Sequence, residues 1–187
     1  MALTALDPRT ALIVIDLQKG VVARPCAHPM QDVVNKAATL AETFRRHNRP
    51  VALVNVAGIA PGRTEQARSG AAFAADWTEL VPELNRQPGD HLVTKRTWGA
   101  FTATDLESWL RAQNVTQVVI AGVATSIGVE SSARHAYELG FNVTLAVDAM
   151  TDMSAEAHAN SVACVFPRLG ETGDTRAIID LLESERA

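Results

Sequence analysis

The segment VVIAGVATSIGVESS, running from Val118 to Ser132, decides the fold. It opens as an unbroken apolar and mostly β-branched run, the pattern of a parallel strand buried on both faces. A short glycine-containing turn follows, and the period then changes. Val129, Ala133, Ala136, Tyr137 and Leu139 are spaced as one apolar helical face, while Glu130, Arg134, His135 and Glu138 take the other. The start of such a helix presents unpaired N–H groups and the positive end of the helix dipole. A group held there is anionic, or becomes so during a reaction.

Working outward, the same alternation recurs along the chain. Ala11 to Ile15 reads as a short buried strand ending in Asp16, after which Leu17 to Gly20 breaks the pattern and Val21 to Pro29 reads as a loop. Met30 to Arg46 carries Val33, Val34, Ala37, Leu40, Ala41 and Phe44 at helical spacing, and Val51 to Ala57 is a second strand. Residues 58–75 form the longest irregular stretch, rich in Gly, Ala, Ser and Arg, of the kind that serves as a lid or binding loop. Trp77 to Leu84 reads as a short turn of helix. A third strand, His91 to Thr94, ends at Lys95, and a helix with Leu106, Trp109 and Leu110 on its apolar face follows a Thr104 or Asp105 cap. The fifth strand is expected over Asn142 to Val147, closing at Asp148. Helices then cover roughly Ser154 to Phe166 and Asp174 to Glu185, with a short edge strand between them.

Strands alternating with helices predict an α/β fold: a three-layer α/β/α sandwich with a central, mostly parallel sheet of five or six strands, Rossmann-like, in a single domain over 1–187. In such sheets ligands bind outside the carboxyl ends of the strands, near the point where strand order reverses. Asp16, Lys95 and the turn from Ala124 to Gly128 all fall at carboxyl ends.

Composition narrows the function classes. The 187 residues are 47% hydrophobic, enough for one sizeable core. With 17 basic and 21 acidic residues the net charge is −4, and no run of Lys or Arg marks a nucleic-acid or anionic-membrane partner. Met1 to Thr10 lacks the basic start and apolar run of a signal peptide, and no apolar stretch has the length of a membrane span, which predicts a cytoplasmic protein. Cys26 and Cys164 are too few for a disulfide framework and read as free thiols. Phosphate loops of the Gly-x-Gly-x-x-Gly or Walker type are absent, and no nucleotide cofactor is expected.

Three motifs coincide in order and spacing: Val14-Ile15-Asp16-Leu17-Gln18, then Thr94-Lys95-Arg96-Thr97-Trp98-Gly99-Ala100-Phe101, then Ala121-Gly122-Val123-Ala124-Thr125-Ser126-Ile127-Gly128-Val129-Glu130. On these the chain resembles the isochorismatase-like hydrolase superfamily, from about Asp7 to Leu182. The resemblance implies a hydrolase with Asp16 and Lys95 in the positions of the family's catalytic Asp and Lys. It places Gly128 where the amidase branch carries its nucleophilic Cys. Without a side chain at 128 no acyl-enzyme can form there. Members that cleave isochorismate are similar in this respect: they protonate the enol carbon of a vinyl ether, and water then attacks.

The resemblance further implies a cis peptide before Ala124, an anion site built from backbone N–H groups around Ala124, Thr125 and Gly128, and a homodimer or larger assembly. Nicotinamidases of the superfamily hold a metal through an Asp and several His after the second strand. The matching stretch here, Val54 to Gly58, has none, so no metal is expected. Arg63 is the candidate clamp for a substrate carboxylate, Gln18 orients a loop or touches substrate, and Trp77, Trp98 and Phe101 would shape an apolar wall. Each of these residue types also has a commoner role: a strand-end Asp as a turn residue, an exposed Lys or Arg in solvent, a Trp in a core or dimer interface. Three readings remain: vinyl-ether cleavage of a small anionic metabolite, C–N hydrolysis by water that Asp16 activates directly, and an inactive member kept as a binding or scaffold protein.

Overall fold

The computed structural model describes residues 3–65 and 73–184. Its sheet contains β1 (Thr10–Ile15), β2 (Val51–Val56), β3 (His91–Lys95), β4 (Gln117–Val123), β5 (Asn142–Thr151) and β6 (Glu171–Gly173). The order is β3-β2-β1-β4-β5-β6, with every neighbouring pair parallel. Strand order therefore reverses between β1 and β4, and the carboxyl ends of those two strands frame a crevice.

The strand sequences explain the layering. Successive side chains of a strand point to opposite faces, so an uninterrupted apolar run serves two cores. Leu12 and Val14 pack with Val33, Leu40 and Phe44 of α2 (Met30–Arg46) and with Ile178 and Leu182 of α6 (Thr175–Ser184). Ala11, Ile13 and Ile15 pack on the other side with Leu106 and Leu110 of α3 (Leu106–Ala112) and with Ala133 and Ala136 of α4 (Glu130–Glu138). Burying each Val, Leu or Ile contributes roughly 1.5–3 kcal/mol, and truncating Leu12 to Ala would cost about 2–5 kcal/mol.

The expected architecture is present, and its details differ in instructive places. A short helix, α1 (Lys19–Val22), forms where the sequence pattern breaks, and the turn expected over Trp77 to Leu84 is helical only at Pro82–Leu84. Tyr137 is 53% exposed and does not belong to the buried face of α4; Ser132 does, because its hydroxyl donates to Gly128 O at 2.6 Å and accepts from Ala100 N at 3.0 Å. The strand expected to close at Asp148 continues to Thr151, shifting register against β4. Asp148 stays within it because its carboxylate accepts from Thr175 N and Oγ1 at 2.7 and 2.8 Å, holding the start of α6. The helix expected from Ser154 divides into α5 (Ala155–Asn160), a wide turn at Ser161–Val165 and a tight one at Phe166–Arg168. Of the irregular stretch 58–75, residues 66–72 lie outside the described residues, as does the helix end expected at Glu185. No helix among the described residues is long and apolar enough to cross a membrane.

Candidate active site

Asp16 leaves β1 in the left-handed region at φ 52, its N–H still donating to Val54 O at 2.9 Å. Beside it, β4 approaches closely: a Cβ on Gly122, at φ +117, would stand 2.0 Å from Ile15 O. Glycine there lets the two strand ends converge. The peptide between Val123 and Ala124 is cis. The chain then winds through a wide turn, Thr125–Val129, into α4, with Ile127 N and Val129 N both donating to Ala124 O at 3.1 Å.

Lys95 ends β3 and reaches across the end of β2 to the carboxylate. Its Nζ lies 2.7 Å from Asp16 Oδ2 and donates to Thr97 O at 3.1 Å. Both side chains are buried, at 2% and 8% exposure. Asp16 Oδ1 is buried too and has no hydrogen-bond partner among the described residues. Burial pushes the Asp16 carboxyl up from 3.8 to about 6, against the opposing pull of the Lys95 charge and hydrogen bond. Lys95 occupies Oδ2, which leaves Oδ1 as the oxygen open to a proton or a ligand.

Asp16, Lys95, Thr97 and Gly128 line a cavity of about 210 Å³. A Cβ built on Gly128 would meet Ile15 Cγ2 at 3.0 Å and Asp16 Oδ2 at 3.4 Å, so position 128 faces the carboxylate with no side chain of its own. Other candidate nucleophiles are engaged or distant. Ser126 Oγ donates to Asp152 Oδ2 at 2.8 Å, and neither Cys26, whose thiol burial pushes up, nor Cys164 lines the cavity.

Trp77, Trp98 and Ala124 also line it, joined by Val21, Arg24, Ile59, Phe73, Ile127 and Met153, which the sequence had not singled out. Four expected residues fall elsewhere. Gln18 is fully buried and stitches segments together: its amide Nε2 donates to Val56 O and Trp77 O at 3.0 and 2.9 Å, while Oε1 accepts from Val56 N at 2.6 Å. Phe101 packs behind the sheet against Phe141 and His135. Thr125 is buried, its hydroxyl 2.9 Å from His158 Nδ1, and Arg63 is exposed and off the lining.

The start of the turn already holds an anion. Asp152, 2% exposed, accepts from Ser126 N at 2.8 Å through Oδ2 and from Ser154 N at 3.1 Å through Oδ1, while its backbone carbonyl accepts from Ala27 N at 2.8 Å. It ties the central turn to the loop that carries Arg24 and to the lead into α5. Placing the end of β5 at Asp148 hid Asp152 and Met153; with the strand extended to Thr151, they too stand at a carboxyl end. Among the described residues no group of three or more His, Cys, Asp or Glu is placed to hold a metal ion, and Asn55, at the end of β2, donates to Thr78 O at 2.9 Å instead.

A parallel sheet in this order, with an Asp–Lys pair buried at the carboxyl ends of its strands, defines a doubly wound α/β fold with its candidate site at the switch point. The Isochorismatase domain description matches residues 10–177. The uncharacterized isochorismatase family protein YwoC of Bacillus subtilis (strain 168) is 42% identical over 179 residues, 92% of this chain and 93% of its own. A probable isochorismatase of Pseudomonas chlororaphis is 30% identical over 169 residues, 84% of this chain and 79% of its own. The solved structure of an isochorismatase family protein from Burkholderia thailandensis aligns at TM-score 0.92 and 39% identity, covering 96% of this chain and 98% of that one. The chain belongs to the isochorismatase family, and it is a hydrolase of that family.

Proposed function

We propose that the protein hydrolyses the vinyl ether of a small anionic metabolite, isochorismate or a close analogue, without a covalent intermediate. The observation that carries the reading is a carboxyl poised at about 6 beside position 128, where no nucleophile exists. An acid with a pKa near the working pH is suited to proton donation. The likeness to a probable isochorismatase supports the same substrate class.

In this reading protonated Asp16 gives its Oδ1 proton to the terminal enol carbon, and the ether carbon becomes an oxocarbenium ion. Water adds to that carbon, the hemiketal collapses, and the products are a keto acid and an alcohol. Asp16, now a carboxylate held by Lys95, stabilises the developing positive charge and takes a proton back from the added water. The missing side chain at Gly128 leaves room next to Oδ2 that a thiol would fill.

A second reading, C–N hydrolysis with Asp16 as the base for water, draws on the same pair, since at neutral pH most Asp16 is ionised. It differs in the protonation state it needs. Steady-state hydrolysis of isochorismate by the wild type, with Asp16→Ala and Lys95→Ala in parallel, tests the proposal. Turnover lost in both variants supports it; absence of turnover in folded wild-type protein removes isochorismate as the substrate.

A further inference from the structure

We infer that Arg24, on the loop after α1, is the specificity residue that receives the carboxylate of the substrate, through a guanidinium seated on Trp77. The inference rests on the proposal that this cavity takes an anionic substrate, and it names the group that selects the anion. Two cationic side chains line the cavity among the described residues, Lys95 and Arg24. The ammonium of Lys95 is already committed to Asp16 Oδ2 at 2.7 Å and Thr97 O at 3.1 Å. Arg24 is exposed at the mouth and is paired with no carboxylate among the described residues.

Its position is nevertheless fixed. The Arg24 Cζ sits 5.3 Å from the centroid of the Trp77 ring. Trp77 in turn is pinned: its Nε1 donates to Val56 O at 3.2 Å, Phe73 stacks on it at 4.5 Å, and a Cβ at Gly20 would collide with its Cε3 at 2.2 Å. A guanidinium lying over an aromatic face keeps its N–H edge free, and that edge matches the two oxygens of a carboxylate. The surrounding wall of Phe73, Trp77, Trp98 and Met153 suits an unsaturated or aromatic carbon frame. The occupant is thus a small unsaturated carboxylate with a charged group at the mouth and its reacting end at Asp16. Arg63, exposed and off the lining, does not take this part.

Benzoate and its uncharged isostere benzamide test this without any turnover, by calorimetric titration of the full chain. Wild-type protein is expected to bind benzoate more tightly than benzamide. Arg24→Ala should weaken benzoate by roughly tenfold, as expected for loss of a charge-assisted pair at a partly exposed site, and leave benzamide unchanged. Arg24→Lys should recover part of the loss, since an ammonium restores the charge without the fork. No preference for benzoate in the wild type, or equal benzoate affinity in wild type and Arg24→Ala, overturns the assignment. An enzyme inactive toward isochorismate that still loses benzoate affinity on Arg24→Ala would sink the proposed reaction and leave Arg24 in place.

Discussion

Lys95 Nζ stands 2.7 Å from one oxygen of Asp16 while the other oxygen, also buried, has no hydrogen-bond partner among the described residues. The asymmetry gives the two oxygens different parts in the proposed reaction: Oδ2 anchors the carboxyl and Oδ1 is free to carry the proton. A buried acceptor left unsatisfied costs about 1–3 kcal/mol, so the free oxygen is a standing cost to the fold that substrate binding or protonation relieves.

Removing one member of the pair should be far worse than its small size suggests. Lys95→Met leaves an unpaired carboxylate in a dry site, which costs about 3–5 kcal/mol if it stays ionised and drives its pKa above 6 if it does not. Chemical denaturation at pH 8 should show the loss, and acidification to pH 5 should restore much of it. A Lys95→Met protein as stable as wild type at pH 8 would mean that the pair is not buried as described.

The direction of the pH limb separates the two chemistries. An acid that must be protonated makes kcat/KM fall tenfold per pH unit above about 6, whereas a base makes it fall below about 6 and level off above. The proposed ether cleavage requires the first profile. For stability, the raised folded-state pKa means that the native state binds the extra proton between pH 4 and 6. The stability of the wild type relative to Asp16→Asn should therefore decline by roughly 3 kcal/mol across that interval and stay level from there to pH 7.

Alkylation of the native thiols should leave activity intact, because Cys26 and Cys164 lie off the cavity. Gly128→Cys should reverse this. Its Cβ fits with a shift of a few tenths of an ångström at Ile15 Cγ2, costing about 1–3 kcal/mol, and the thiol would face Asp16. Iodoacetamide should then block the variant completely while sparing the wild type. Loss of wild-type activity on alkylation would put a native cysteine in the chemistry.

Asp152→Ala should loosen the central turn. It removes the acceptor for Ser126 N, Ser126 Oγ and Ser154 N, a loss of roughly 3 kcal/mol. A lowered Tm together with faster hydrogen exchange at residues 124–128 is expected, and an unchanged Tm would contradict the anchoring role.

What the sequence disclosed follows from how local each signal is. The strand ending in Asp16, the strand ending in Lys95 and the strand-turn-helix around Gly128 are written in consecutive residues, and parallel topology alone brings their ends together. Asp148 misled because a charge inside a strand reads as an end; its partner, Thr175, is 27 residues away. That error hid Asp152. Gln18 stands two residues from the candidate aspartate in sequence yet faces inward, since its partners are the end of β2 at Val56 and the distant Trp77. Arg24 and Arg63 are equally plausible arginines in loops. Only the placement of Trp77 distinguishes them.

The most direct test of the central claim is the fate of the transferred proton. Isochorismate should be hydrolysed in D2O and the pyruvate analysed by NMR. Acid-assisted vinyl-ether cleavage predicts one deuterium in the methyl group, at a rate that collapses in Asp16→Asn. Cleavage with no deuterium at that carbon, or undiminished turnover by Asp16→Asn, would contradict the account.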